Sequence, residues 1–204
     1  MNTEIEAKFL NIDHDAIRAK LEALGGVLEQ PLRLMRRVVI HTPDMTSKNA
    51  FLRVRDEGYR TTITYKQFDS DTVDGAKEYE VEVSSFDDTV RMLSASGLTY
   101  DAYQESKREN WRLGNVEIML DEWPWLQPYL EVEGESEEAI KQVAELLELS
   151  WTDAQFGGIA NAYRSQYPHI GDEGITIINQ QWAEIKFNSP APALLTAPAV
   201  KEQP

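Results

Sequence analysis

The chain of 204 residues contains no cysteine. Disulfides, thiolate nucleophiles and thiolate metal sites are therefore excluded, and a cytoplasmic location is the expectation. No apolar run approaches the roughly 20 residues that a membrane-spanning helix needs. The polar, charged start does not read as a signal peptide. Histidine is scarce: His14, His41 and His169 lie far apart, lack zinc spacing and read as surface residues. Positive charge is in the minority, with 20 Lys and Arg against 35 Asp and Glu and a net charge of −15. That argues against sequence-independent binding of nucleic acid, which needs a basic surface. It does not exclude a basic site inside the protein, because a ligand senses the local field rather than the total.

What the chain does have is alternation. Residues 2–10, 33–41, 50–56, 60–68, 77–84, 103–113, 116–123 and 128–134 repeat with period two or lie between turn signals, and they predict about eight strands. Gly58, Asp74-Gly75 and Gly114-Asn115 mark turns between neighbours. Helices are predicted at 13–24, with Asp13 as N-cap and Gly25-Gly26 as stop, and at 86–96 and 136–147; a short one is expected within 152–167. Strands do not alternate with helices, so a doubly wound parallel sheet is not expected. An α+β fold with an antiparallel sheet curled into a barrel is. Residues 1–168 read as one domain and 169–204 as a C-terminal extension. Its Pro/Ala-rich stretch from about residue 188 is expected to be disordered.

The strands carry strong charge on one face. Residues 4–8, "EIEAK", put Glu4, Glu6 and Lys8 together. Arg53 and Arg55 share a face, as do Thr62, Thr64 and Lys66, and Glu78, Glu80 and Glu82. Arg108 stands with Ser106 and Asn110, Glu117 with Asp121, and Glu131 with Glu133. Any one of these strands could simply turn its polar side to water. The set is harder to explain so, because neighbouring like charges on a strand face cost free energy without a counter-charge. Carboxylate clusters suit a hard divalent cation, and Arg/Lys clusters suit phosphate. A curled sheet holding both would bind a metal–polyphosphate, with its apolar face covered by helices from outside.

These residues resemble the CYTH superfamily, the triphosphate tunnel metalloenzymes. Glu4-x-Glu6-x-Lys8 matches its N-terminal E-x-E-x-K signature. "FLRVR" (51–55) is similar to its L-R-x-R strand, "TITYK" (62–66) to its T-x-K strand and "EYEVEV" (78–83) to its E-x-E strand. "SKRENW" (106–111) resembles the K-x-R strand, and 118–134 the final D-x-loop-x-E-x-E unit. The resemblance spans about residues 2–165. It implies an eight-stranded closed antiparallel barrel, a triphosphate tunnel with a charged interior and helices packed on the outside.

It further implies that Lys8, Arg53, Arg55, Lys66 and Arg108 bind a triphosphate, and that Glu4, Glu6, Glu80, Asp121, Glu131 and Glu133 hold Mg²⁺ or Mn²⁺. Glu78 and Glu82 are further candidates, because the register of residues 77–84 is open by two. Lys8, beside the carboxylates, is the candidate to orient a nucleophile or donate a proton. The family's first Lys of K-x-R falls on Ser106, which removes one phosphate contact. Arg36 and Arg37 are the candidates to replace it, and the sequence does not say which faces inward. The implied function is a metal-dependent triphosphate phosphohydrolase acting on inorganic triphosphate, thiamine triphosphate or a nucleoside triphosphate. The alternatives are a class IV adenylate cyclase and a non-enzymatic nucleotide- or polyphosphate-binding domain. The expected partner is a triphosphate-containing small molecule, not nucleic acid or membrane, for a monomer or homodimer. The loop holding Trp123 and Trp125, with Tyr129 after it, is expected to pack onto the barrel end or a helix rather than stack on a base.

Overall fold

The computed structural model describes residues 1–171 and 184–196. Eight strands form the wall: β1 (Asn2–Phe9), β2 (Val27–Ile40), β3 (Ala50–Asp56), β4 (Thr61–Phe68), β5 (Ala76–Val83), β6 (Ala102–Leu113), β7 (Val116–Glu122) and β8 (Tyr129–Gly134). Their order is β2-β3-β4-β5-β1-β8-β7-β6, all antiparallel, and a long β2–β6 pairing closes the ring. A two-residue strand, β9 (Glu184–Ile185), runs parallel to β6 at Tyr103 and Gln104, beyond the point where β7 stops pairing.

β2 is longer than the sequence suggests. Pro31, which cannot donate to a ladder, masks its first half. The chain accommodates it where the β2–β6 register shifts, between Leu28/Gln30 and Gln30/Arg33.

The helices cap as their sequences dictate. α1 (His14–Ala23) starts where the Asp13 side chain accepts from the amides of Asp15 and Ala16. It stops at Gly25, which takes φ 78°, a left-handed conformation that glycine adopts freely. Ser85 caps α3 (Phe86–Ala95) and Ser136 caps α4 (Glu137–Leu146) in the same way. α2 (Pro43–Ser47), not expected from the sequence, opens on Thr42 and Pro43. α5 (Ile159–Gln166) is the expected late helix. Among the described residues no helix is long and apolar enough to cross a membrane.

The hydrophobic core lies outside the barrel. α1 and α4 cover the outward side chains of β1, β6, β7 and β8, with Phe9, Leu21, Ile118, Leu120, Leu130 and Leu147 almost fully buried. α3 covers Val38 and Val54 with Phe86. The external core therefore carries the apolar burial that a small barrel usually places inside. Leu120→Ala is expected to destabilise the fold by about 2–5 kcal/mol, read as a lower urea midpoint at unchanged slope.

A third cluster joins the 123–129 loop to the C-terminal residues. Trp123, Tyr163, Ile170, Ile185 and Leu195 are buried together, and the Trp125 indole donates to the Ser189 carbonyl at 3.0 Å. The loop thus packs against α5 and the tail. Within the Pro/Ala-rich stretch, α6 spans Ala193–Thr196 and buries Leu195. The apolar pair Leu194-Leu195 supplies the anchor that the flanking prolines obscure in the sequence. Residues 172–183 and 197–204 of the extension lie outside the described residues. His14 also departs from its expected surface position: it is buried, with Nε2 3.0 Å from the Tyr129 carbonyl oxygen.

Candidate functional site

Period-two alternation, locked by cross-strand register, decides which side chains face the lumen. Lys8 opposes Glu131 and Glu6 opposes Glu133 across β1–β8. Lys66 opposes Glu78 and Thr64 opposes Glu80 across β4–β5. Arg53 opposes Thr64 across β3–β4, Arg37 opposes Arg55 across β2–β3, and Arg108 opposes Asp121 across β6–β7. Followed around the ring, these pairs place every same-face charge of the sequence on the inner wall. They enclose a cavity of about 520 Å³.

Ten of the expected residues line that cavity outright: Lys8, Arg53, Arg55, Lys66 and Arg108, with Glu4, Glu6, Glu80, Glu131 and Glu133. Glu78 lines it as well. Two do not. Asp121 faces inward but is wholly buried, and both its oxygens accept from Arg108, at 2.8 and 2.7 Å. Glu82 shares the inward face yet lies toward the solvent, with 69% of its side chain exposed. Lys107 points outward and pairs with Glu122 at 3.0 Å.

Opposite charges are interleaved along one network. Lys8 Nζ stands 2.9 Å from Glu6 and 3.1 Å from Glu131. Lys66 pairs with Glu4 and reaches Glu6 at 3.7 Å. Arg108 also reaches Glu131 at 3.5 Å. Arg53 donates to Thr64 Oγ1 at 3.1 Å and lies 3.5 Å from Glu80. Burial opposes the charges of Lys8 and Arg108. Glu131 and Glu6 nevertheless hold Lys8 above its ordinary range, and Asp121 and Glu131 do the same for Arg108.

Two carboxylates are pushed the other way. Burial, then the neighbouring charges of Glu4, Glu131 and Glu6, raises Glu133 to about 8. Burial and Glu4 raise Glu78 to about 7. These groups are crowded by like charge and hold protons near neutrality. Among the described residues, no three His, Asp or Glu side chains already converge as ligands for a metal ion. Most of the carboxylates instead contact a lysine or arginine.

Several lumen residues were not singled out by the sequence. Arg33 comes from β2, and Glu57 and Arg60 from the β3–β4 turn. Glu57 is buried, yet Arg55 at 2.5 Å and Arg60 at 3.0 Å overcome the burial and hold its carboxyl at about 2. The inward residue of the Arg36/Arg37 pair is Arg37; Arg36 lies outside and pairs with Asp56 at 3.1 Å. The β2 charges fall on both parities, so only its register against β3 and β6 could separate them. His41, expected at the surface, lines the cavity beside Phe51.

This arrangement is a closed barrel whose cations and carboxylates meet across one internal volume. The CYTH domain family matches residues 2–154. The chain belongs to the CYTH domain family. No curated protein matches the chain. Solved structures share the CYTH fold at low identity. The PH1012 protein of Pyrococcus horikoshii OT3 is 24% identical at a TM-score of 0.63, over 74% of this chain and 93% of that one. A putative adenylate cyclase from Vibrio parahaemolyticus is 16% identical at 0.68, over 79% and 97%. A putative adenylyl cyclase from Hippeastrum, described as having a dominant triphosphatase activity, is 17% identical at 0.52, over 76% and 91%.

Proposed function

We propose that this CYTH barrel is a divalent-metal-dependent triphosphate phosphohydrolase. The observation that carries the reading is the composition of the lumen. Arg53, Arg55, Lys66 and Arg108 face one cavity together with Glu4, Glu6, Glu78, Glu131 and Glu133. The guanidiniums and ammoniums offer the donors that phosphate oxygens need, and arginine offers them in pairs.

The donor set fits a hard cation. It is all oxygen, and burial together with the neighbouring carboxylate charges keeps protons on Glu78 and Glu133. Glu4, Glu6, Glu131 and Glu133, with Glu78 and Glu80 beside them, would hold Mg²⁺ or Mn²⁺. The bound ion would supply Lewis-acid polarisation of phosphate oxygens. Asp121, buried beneath Arg108, acts by holding that guanidinium in place rather than as a ligand.

The side chains have separable roles. Arg53, Arg55, Lys66 and Arg108 grip the triphosphate and stabilise the charge that develops on its oxygens as the anhydride bond breaks. Glu80 and Thr64 orient Arg53, since Thr64 Oγ1 donates to Glu80 at 2.8 Å and accepts from Arg53. Lys8 is held as an ammonium by two carboxylates and gives up its proton reluctantly. It therefore contributes charge and orientation, not general-acid chemistry.

Cyclisation would use the same phosphate contacts. It would also require the site to present a ribose 3′-OH to the α-phosphorus, whereas hydrolysis requires only water. Incubation with tripolyphosphate, thiamine triphosphate and ATP, each with Mg²⁺ or Mn²⁺, tests the assignment. Orthophosphate release from at least one is expected. Cyclic AMP with pyrophosphate from ATP would replace the hydrolase by the cyclase, and saturable binding without turnover would leave a binding domain.

A further inference from the structure

Arg37 is the one lumen arginine among Arg33, Arg37, Arg53, Arg55 and Arg108 for which no carboxylate lies within ion-pair distance among the described residues. Arg33 lies 3.9 Å from Glu57, Arg53 is 3.5 Å from Glu80, Arg55 is 2.5 Å from Glu57 and Arg108 is 2.7 Å from Asp121. Arg37 has two neighbours of another kind. Its Nε donates to Gln104 Oε1 at 2.7 Å, and its guanidinium lies 4.5 Å from the Trp123 ring centroid. Its terminal nitrogens carry no hydrogen bond among the described residues.

Burial and like charge both disfavour a cation in this place. Burial, followed by the repulsion of Arg53, Arg55 and Arg108, depresses Arg37 to about 9. An apolar or amide side chain would avoid that cost. The Gln104 contact and the Trp123 face fix the plane of the guanidinium and leave its terminal edge toward the cavity it lines.

We infer that Arg37 is a substrate-phosphate ligand, supplying from β2 the positive charge that β6 lacks at Ser106. Ser106 is buried on the inner wall of β6, one inward position along from Gln104, the residue that Arg37 opposes. A phosphate bridging Arg37 and Arg55, which face each other across β2–β3, would offset the charge of both. The assignment rests on the triphosphate reading above, but its test does not require turnover.

Arg37→Gln and Arg37→Lys, compared with the unaltered protein, separate a phosphate ligand from a packing residue. Calorimetric binding of inorganic tripolyphosphate with Mg²⁺ and thermal unfolding without ligand are measured for all three. Arg37→Gln is expected to weaken tripolyphosphate binding about tenfold or more, because a charged donor to an anion is lost. Its ligand-free melting temperature is expected to equal or exceed that of the unaltered protein, because a repelled charge is gone. Arg37→Lys is expected to retain more affinity than the Gln variant.

Unchanged affinity in Arg37→Gln would overturn the inference. So would a lowered ligand-free melting temperature with an affinity loss that Lys does not rescue, since a packing role gives that pattern. If the unaltered protein binds tripolyphosphate but releases orthophosphate from none of the three triphosphates, the hydrolase reading falls while the Arg37 variants still decide the assignment. If it binds none, both fall.

Discussion

Arg108→Met is expected to lower triphosphate turnover at least about 100-fold and, separately, to destabilise the protein by about 3–5 kcal/mol. The two losses have different origins. The first follows, on the hydrolase reading, from removing a lumen guanidinium that would stabilise charge developing on phosphate oxygens. The second follows from Asp121, which has no exposed surface and no hydrogen-bond donor other than Arg108 among the described residues. Without Arg108 its carboxylate is a buried, uncompensated charge. The double variant Arg108→Met/Asp121→Leu removes both members of the pair and is expected to regain most of the stability but none of the turnover. Urea unfolding and steady-state orthophosphate release check the two halves. A single variant that unfolds at the usual midpoint and keeps its turnover would mean that the pair is peripheral to both.

The second large effect concerns divalent cations and pH. Glu78 and Glu133 hold protons to about 7 and about 8, so the folded chain binds them more tightly than an unfolded one would. Their contribution to stability is fully present below the ordinary carboxylate range and is lost as pH rises through 7 and 8. The cation-free protein is therefore expected to lose stability between about pH 5 and pH 8. Mg²⁺ or Mn²⁺ added at pH 8 is expected to restore it and raise the melting temperature, since an ion that binds only the folded state stabilises it by mass action. Added nearer pH 6, the same ion should release protons, measurable as a buffer-dependent binding enthalpy. Chelation should abolish turnover and leave the far-UV circular dichroism unchanged, because the apolar core lies outside the barrel. A melting temperature indifferent to both cation and pH would remove the metal site from the account.

The barrel was legible because its strands keep strict alternation and its turns carry glycine. The site was legible for a related reason. On β1, β4 and β8 the charges fall on one parity, and on β3 and β5 all do except Asp56 and Lys77 near the strand ends, so a lumen face can be read before any partner strand is known. β2 fails that test. Arg33, Arg36 and Arg37 occupy both parities, and Pro31 hides the start of the strand, so only its pairing with β3 and β6 turns Arg33 and Arg37 inward. Asp121 is the converse case. Its parity is readable, but parity cannot show that Arg108 takes both of its oxygens and shuts it off from the cavity. Glu57 escaped notice because it sits in a turn, where alternation carries no information.

A crystal structure with tripolyphosphate and Mn²⁺ bound tests the charged lumen most directly. The phosphates are expected inside the barrel, with Arg53, Arg55, Lys66 and Arg108 on their oxygens and the ion among Glu4, Glu6, Glu131 and Glu133. Phosphate density confined to the outer surface, in a crystal of protein that still turns over triphosphate, would contradict it.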